Sequence, residues 1–279
     1  MHPGGLPLFE SLKMMLQQPI VDVEELGEGG GQPLCFLIDR VRQPDALAKL
    51  YGLSHSPEIE LIFQQTEFSS LRDHSPIWVT TYAQSEAARL AASLCSDRRS
   101  GIALTSAEPA AALRQARRLC KATDPEGGFS LVRYYDPAFW SAWAMTWPTA
   151  DLYGPWSRVY TPSGELEQNT WRVWQSTKEP TGAKPQAPSV SRETLLAFRV
   201  IRWWYWINSQ PQGSAFSDKE LPLVIENLQL LTEHGIEEGR HLQRLLPVLG
   251  STAWVERSEV MALLRSDLPA HKKVTTLEA

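Results

Sequence analysis

Apolar and polar positions fall into two regimes along the chain, changing near Met145. From Leu34 to Met145, short apolar runs alternate with stretches of helical period. Leu34–Asp39 reads as a strand and Pro44–Tyr51 as a helix with Leu47 and Leu50 inward. Ile59–Phe63 reads as a second strand, Thr66–Asp73 as a short helix, and Pro76–Tyr82 as a β-rich run. Ser85–Cys95 follows as a helix capped by Ser85, then Gly101–Thr105 as a strand. Ser106–Lys121 reads as a helix with Ser106 as cap and Arg114, Arg117, Arg118 and Lys121 towards its negative end. Phe129–Tyr135, introduced by Gly127-Gly128, completes the series as a largely buried strand. Asp136-Pro137 then pairs an N-cap with proline at the first helical position, opening a helix with Phe139, Trp140 and Trp143 on one face. Strands alternating with helices predict an α/β fold: a layered N-terminal lobe with a mixed or mostly parallel sheet.

Beyond Met145 the pattern loosens. Thr146–Gln175 sets Trp147, Trp156, Trp171 and Trp174 among prolines and glycines, which suggests irregular strands or loops packed by aromatics. Ser176–Ser191, with Pro180, Gly182, Pro185 and Pro188, reads as a linker. Arg192–Asn208 is a helix apolar on nearly every face, interrupted chiefly by Arg199 and Arg202. Ser217 with Glu220 suggests a capping box, although Pro222 would move the helix start later, and Gly235 ends that helix. Ile236–Leu249 and Ser258–Leu264 read as short amphipathic helices. The expected organisation is an N-terminal extension over 1–33 with a glycine-rich tether at Gly27–Gly31, an α/β domain over 34–146 and a connecting region over 147–191. A smaller α-helical lobe over 192–268 and a disordered tail over 269–279 complete it.

Composition narrows the function. Hydrophobic residues make up 43% of 279 and charged ones 21%, as in an ordinary globular protein. A net charge of −5 without a basic stripe argues against nucleic acid as a partner. No window is apolar enough to span a membrane, and no signal-peptide pattern opens the chain. Cys35, Cys95 and Cys120 lie far apart, as buried thiols in a reducing compartment do, so a cytoplasmic location is expected.

Chemistry-bearing motifs are scarce. His55, His74, His234 and His241 show no His-x-x-x-His spacing, and the cysteines no Cys-x-x-Cys. Neither a Gly-x-Ser-x-Gly elbow nor a phosphate-binding loop is present; Gly27–Gly31 precedes a strand and lacks a following Lys-Ser/Thr. Asp136 already has a structural task as a cap. No metal, cofactor or catalytic residue is expected, and the reading favours a binding protein over an enzyme. The alternatives are a hydrolase assembled from Asp39, His55, His74 and Asp136, or a constitutive structural subunit. Ten of the eleven tryptophans lie from Trp140 onward. Most should be core, and any uncovered face of the Arg192–Asn208 helix would hold a partner through Phe198, Arg199, Arg202, Trp203, Trp204 and Trp206.

Three blocks carry a family resemblance. They are Phe36-Leu37-Ile38-Asp39 with Gln43-Pro44-Asp45-Ala46-Leu47; Leu61-Ile62-Phe63 with Leu71 and Ser75-Pro76-Ile77-Trp78-Val79; and Gly101–Lys121 with Leu131-Val132-Arg133-Tyr134-Tyr135-Asp136-Pro137. In this order, over 34–145, they resemble the type VI secretion effector chaperone or adaptor family (Tap/TEC adaptors, domain of unknown function 4123). Arg40-Val41 departs from it, where relatives often carry a small residue. The resemblance implies a cytoplasmic adaptor without catalytic activity. Such an adaptor holds an effector protein, often by its N-terminal region, and helps load it onto a VgrG spike or an associated PAAR protein. It also implies that Asp39, Arg133, Tyr134, Tyr135, Asp136 and Pro137 are structural motif residues.

Overall fold

A computed structural model of the protein describes residues 9–28, 31–147, 149–164, 169–176, 186–213, 216–217 and 219–278. The chain divides into two compact units, Met1–Ile201 and Arg202–Ala279.

The first unit opens with α1 (Glu10–Leu16) and β1 (Ile20–Asp22). There follow β2 (Leu34–Ile38), α2 (Ala46–Tyr51), β3 (Glu58–Leu61), β4 (Ile77–Thr81), α3 (Glu86–Ser96), β5 (Gly101–Thr105) and α4 (Pro109–Leu119). Next come β6 (Lys121–Thr123), β7 (Phe129–Leu131), α5 (Pro137–Thr146), α6 (Ala150–Tyr153), β8 (Arg158–Pro162) and β9 (Thr170–Trp174). Helix α7 (Arg192–Ile207) contains the division point.

Seven strands form one sheet in the order β1-β9-β8-β5-β2-β4-β3, and every neighbouring pair is antiparallel. The expected mixed or mostly parallel sheet is therefore incorrect. The helical crossovers do connect strands of like direction, but each skips a slot. The α2 connection carries the chain from β2 past β4 to β3, and the α3 connection from β4 past β2 to β5. An antiparallel strand fills each gap. Alternation of strand and helix along a chain does not report which slot a strand enters.

Strands β2 and β5 are buried at every position, consistent with their place inside the sheet. Leu34, Phe36 and Ile38 pack with Leu50, Trp171 and the small face of α3, where Ala88, Ala91 and Ala92 let the helix approach closely. Ser85 caps that helix by accepting from Ala88 N–H at 3.0 Å. Gly101 is required where β5 starts: a Cβ there would lie 2.3 Å from Leu37 O and 2.5 Å from Cys95 Sγ.

Other elements depart from the sequence expectation. Thr146–Gln175, read as irregular strands or loops packed by aromatics, does supply strands, but β8 and β9 are regular members of the sheet and α6 precedes them. Its tryptophans are tied in place: Trp171 meets Phe36 edge-on at 6.5 Å, and Trp174 Nε1 donates to Thr161 Oγ1 at 2.9 Å. Part of the N-terminal extension becomes β1, the partner of β9. Ser106, three positions before α4, accepts from Glu108 N–H, so it shapes the approach rather than capping the helix. Phe129–Tyr135 is not one buried strand. Only Phe129–Leu131 is extended, in a two-stranded ladder with β6, and all three residues are exposed; Val132, Tyr134 and Tyr135 are buried in a turn. Apolar character there marks neither one conformation nor one environment: the extended part is exposed and the buried part is a turn. Asp136 does cap α5, its Oδ1 accepting from Ala138 N–H at 2.9 Å. The helix is buried at every position from Pro137 to Met145, not on one face. Of the linker expected over Ser176–Ser191, residues 177–185 lie outside the described residues, as do 29–30 of the Gly27–Gly31 tether; Pro188, Ser189 and Val190 are instead tied down, bonding to the Thr123 backbone and to Trp143 Nε1.

The second unit continues with α8 (Leu221–Glu233), α9 (Gly239–Leu245), α10 (Ser258–Arg265) and α11 (Ala270–Leu277). Glu220 Oε2 accepts from Ser217 N–H and Oγ–H, yet α8 begins only at Leu221, with Pro222 in its first turn. Buried Asn227 ties α8 to the following segment: its Nδ2 donates to Leu249 O and Thr252 O, and its Oδ1 accepts from Trp254 N–H. The tail expected to be disordered forms α11, held by buried Val274 and by Lys273 Nζ donating to Leu264 O at 2.7 Å. Among the described residues no helix is long and apolar enough to cross a membrane.

Candidate functional site

At one end of the sheet four charged side chains from distant segments meet. Asp39, directly after β2, is 1% exposed. Its N–H donates to Ser100 O at 2.6 Å, and its Oδ1 accepts from Val41 N–H at 3.0 Å. Its Oδ2 accepts from Arg133 Nη2, with Arg42 Nε at 3.8 Å. Arg42 Nη2 in turn donates to Asp136 Oδ2 at 2.7 Å. Arg133, Asp39, Arg42 and Asp136 thus alternate in sign, and the group is neutral as a whole.

The surroundings fix this row. Arg42 Nη1 donates to Arg99 O at 2.7 Å, and Arg99 Nη2 donates to Gly164 O at 3.0 Å. Arg98 and Arg99 hold φ of 54° and 49°, a left-handed pair costing roughly 1–2 kcal/mol per residue that the bonds around it offset. Gln43 Nε2 donates to Asp97 Oδ2 at 2.8 Å and to Leu94 O at 3.1 Å, holding the end of α3.

The rest of the motif is buried beside it. Tyr134 is fully buried and donates to Ala116 O at 2.8 Å; its ring lies 5.7 Å from Tyr135 and 6.2 Å from Trp156. Burial pushes both phenols well above their ordinary pKa. Burial pulls the Arg133 guanidinium down, but Asp39, Tyr135 and Asp136 raise it by more, so it stays charged. Pro137 occupies the first position of α5.

The arrangement holds charge in place rather than presenting a poised nucleophile or base. Both carboxylates already accept from guanidinium and backbone donors. His55 and His74 are exposed, and among the described residues neither bonds to Asp39 or Asp136. Burial pushes the Cys35 and Cys120 thiols up to about 12, and Cys95 well above its usual value. Among the described residues, no group of three or more His, Cys, Asp or Glu is placed to hold a metal ion.

The structure therefore brings Asp39, Arg133 and Asp136 together with two arginines that the sequence reading missed, Arg42 and Arg99. One signal for Arg42 was available: it stands three residues after Asp39. The candidate partner residues of α7 are placed differently from one another. In the first unit Phe198 is half-buried with its ring 5.3 Å from Phe139, and Arg199 is exposed. In the second, Arg202 is exposed, and Trp203 and Trp206 are half-buried with rings edge-on at 5.7 Å. Trp204 is only 4% exposed, with its ring 5.1 Å from Tyr205.

No curated protein and no solved structure gives a significant match to the chain. A family model does, over residues 35–152, from β2 into α6. Every member of the charged row lies inside that span. Residues 35–152 are thus similar to a domain of unknown function, DUF4123, which is known as a type VI secretion adaptor domain.

Proposed function

We propose that the protein is a cytoplasmic adaptor. It binds a type VI secretion effector, helps load it onto a VgrG or PAAR spike protein, and performs no chemistry of its own. The domain match over residues 35–152 carries this reading. The charged row supports it, because Asp39, Arg133 and Asp136 are spent on joining β2 to α5. Arg199 and Arg202, with the half-buried faces of Trp203 and Trp206, are the proposed effector contacts on α7, since aromatic and arginine side chains bury much area with few rotamers to freeze.

Co-expression with candidate effector and spike proteins from the same genome tests this. A stable adaptor–effector complex should survive size-exclusion chromatography, and delivery of the effector should fail without the adaptor. An effector that is delivered normally in its absence overturns the reading.

A further inference from the structure

The β6–β7 hairpin leaves one ladder edge open. Val132 N–H donates to Cys120 O at 2.8 Å and Asp124 N–H to Gly128 O at 3.0 Å. With the register Lys121↔Leu131, Ala122↔Ser130 and Thr123↔Phe129, these bonds set the phase of the ladder. Ser130 points its backbone groups at β6, whereas Phe129 and Leu131 point theirs away. On the β6 side the outward groups of Thr123 are met, its N–H donating to Pro188 O at 2.9 Å and its C=O accepting from Val190 N–H at 2.8 Å. On the β7 side, those of Phe129 and Leu131 have no partner among the described residues. An unpaired edge of this kind is a template for another strand.

The side chains beside that edge select what fits it. Phe129 is 69% exposed and Leu131 37%. Both project to the same face as Lys121, whose Nζ stands 4.6 Å over the Phe129 ring. Phe129 also lines a cavity of about 370 Å³ whose walls include Phe68, Arg117, Arg118, Lys121 and a single acid, Glu67. Its lining carries three cations against one acid, but Lys121 Nζ donates to Glu67 Oε2 at 2.8 Å and Arg117 Nη2 to Glu60 Oε2 at 3.2 Å, so the cation there not bonded to a carboxylate among the described residues is Arg118. Open backbone donors and acceptors, an exposed aromatic and excess positive charge coincide there.

We propose that β7 takes up an extended acidic segment of the effector as an added strand, with apolar side chains against Phe129 and Leu131 and carboxylates towards Arg118 and the net positive wall it shares with Arg117 and Lys121. This rests on the adaptor reading and specifies the form in which the partner binds. Main-chain hydrogen bonds supply the grip, and the cationic wall supplies the preference.

The test uses the full-length protein and a fluorescein-labelled synthetic peptide alternating Glu with Val, read by fluorescence anisotropy. Leu131→Pro removes an outward N–H without touching the ladder to β6, and Leu131→Ala controls for the lost side chain. Leu131→Pro should bind the probe about tenfold more weakly than Leu131→Ala, the size of one lost hydrogen bond. A probe N-methylated on its ladder-facing amides should fail to bind, as should a Lys-for-Glu probe, and Lys121→Glu should weaken the parent probe. Equal binding of the two Leu131 variants, together with retained binding of the N-methylated probe, overturns strand addition. Equal affinity for the Lys and Glu probes overturns the acidic preference. Effector co-purification separates the two ideas. An effector retained by both wild type and Leu131→Pro leaves the adaptor reading standing and removes the edge from it. An effector not retained by wild type removes the adaptor reading, and the peptide result alone decides the edge.

Discussion

Arg42 Nη2 sits 2.7 Å from Asp136 Oδ2 while the other oxygen of that carboxylate caps α5, so one aspartate joins a loop after β2 to a helix 94 residues later. Asp136→Ala should therefore act on folding. Loss of the cap costs about 1 kcal/mol, and loss of the charged hydrogen bond about as much again in this half-buried setting. Urea unfolding should show a stability loss of about 2 kcal/mol, and Asp136→Ala with Arg42→Met should cost less than the sum of the two, because both remove the same bond while Arg42→Met also removes the one to Arg99 O. Unchanged stability with abolished effector binding would instead place Asp136 in a binding site.

The Arg133–Asp39 pair is lopsided, and the asymmetry predicts which deletion hurts more. Asp39 is 1% exposed on its side chain, Arg133 47%. Freed of its partner, Arg133 can turn to water; Asp39 cannot. Arg133→Gln leaves a buried carboxylate with only Arg42 and one backbone N–H, and should cost about 2–3 kcal/mol. Adding Asp39→Asn should restore part of that loss. A double variant no more stable than Arg133→Gln alone counts against this account of the pair.

Buried titratable groups set an alkaline limit. The Cys35 and Cys120 thiols are raised by burial from 9.0 to about 12, and the phenols of Tyr134, Tyr135 and Tyr153 are raised as well. Once unfolded these groups lose their protons at ordinary pH values; in the folded chain they keep them. Their contribution is fully present below the unfolded values and is lost as pH rises through about 9 to 12. Tm should fall steeply across that window, and thiol reagents should label the native protein only as fast as it opens. Rapid labelling at neutral pH would show the thiols to be accessible.

The tryptophans of α7 should separate by burial. Trp204→Ala removes a side chain that is 4% exposed and should cost about 3–5 kcal/mol, enough to unfold a marginal chain. Trp203→Ala and Trp206→Ala act on half-buried rings and should leave a folded protein that no longer retains the effector. Circular dichroism beside a pull-down reads both. Folded, binding-competent variants at Trp203 and Trp206 would remove α7 from the binding surface.

What could be read from the sequence was what acts locally. The Ser85 and Asp136-Pro137 caps depend on residues one to three positions away, and both are present. Strand order depends on which slot is open when a crossover returns, and no residue in α2 or α3 encodes that, so the sheet's direction was misread. The Phe129–Tyr135 run misled because an exposed strand edge and a buried turn both use apolar residues, and together they look like one buried strand. In the charged row, Asp136 was legible as a cap and Asp39 as a candidate carboxylate, whereas Arg133 was visible only through the resemblance. Arg42 and Arg99 were not singled out, because Arg99 O and Asp136 lie 57 and 94 residues away from Arg42, and Gly164 O lies 65 away from Arg99.

The slot-skipping connections also bear on synthesis. β2, made of five apolar residues, lies between β4 and β5, both of which leave the ribosome after it. Until Gly101–Thr105 emerges to pair with Leu34–Ile38, the nascent chain carries an uncovered hydrophobic edge open to other nascent chains. A protein inferred to chaperone others thus passes through an interval in which it needs shielding itself, and a ribosome stalled before Gly101 would release an aggregation-prone fragment.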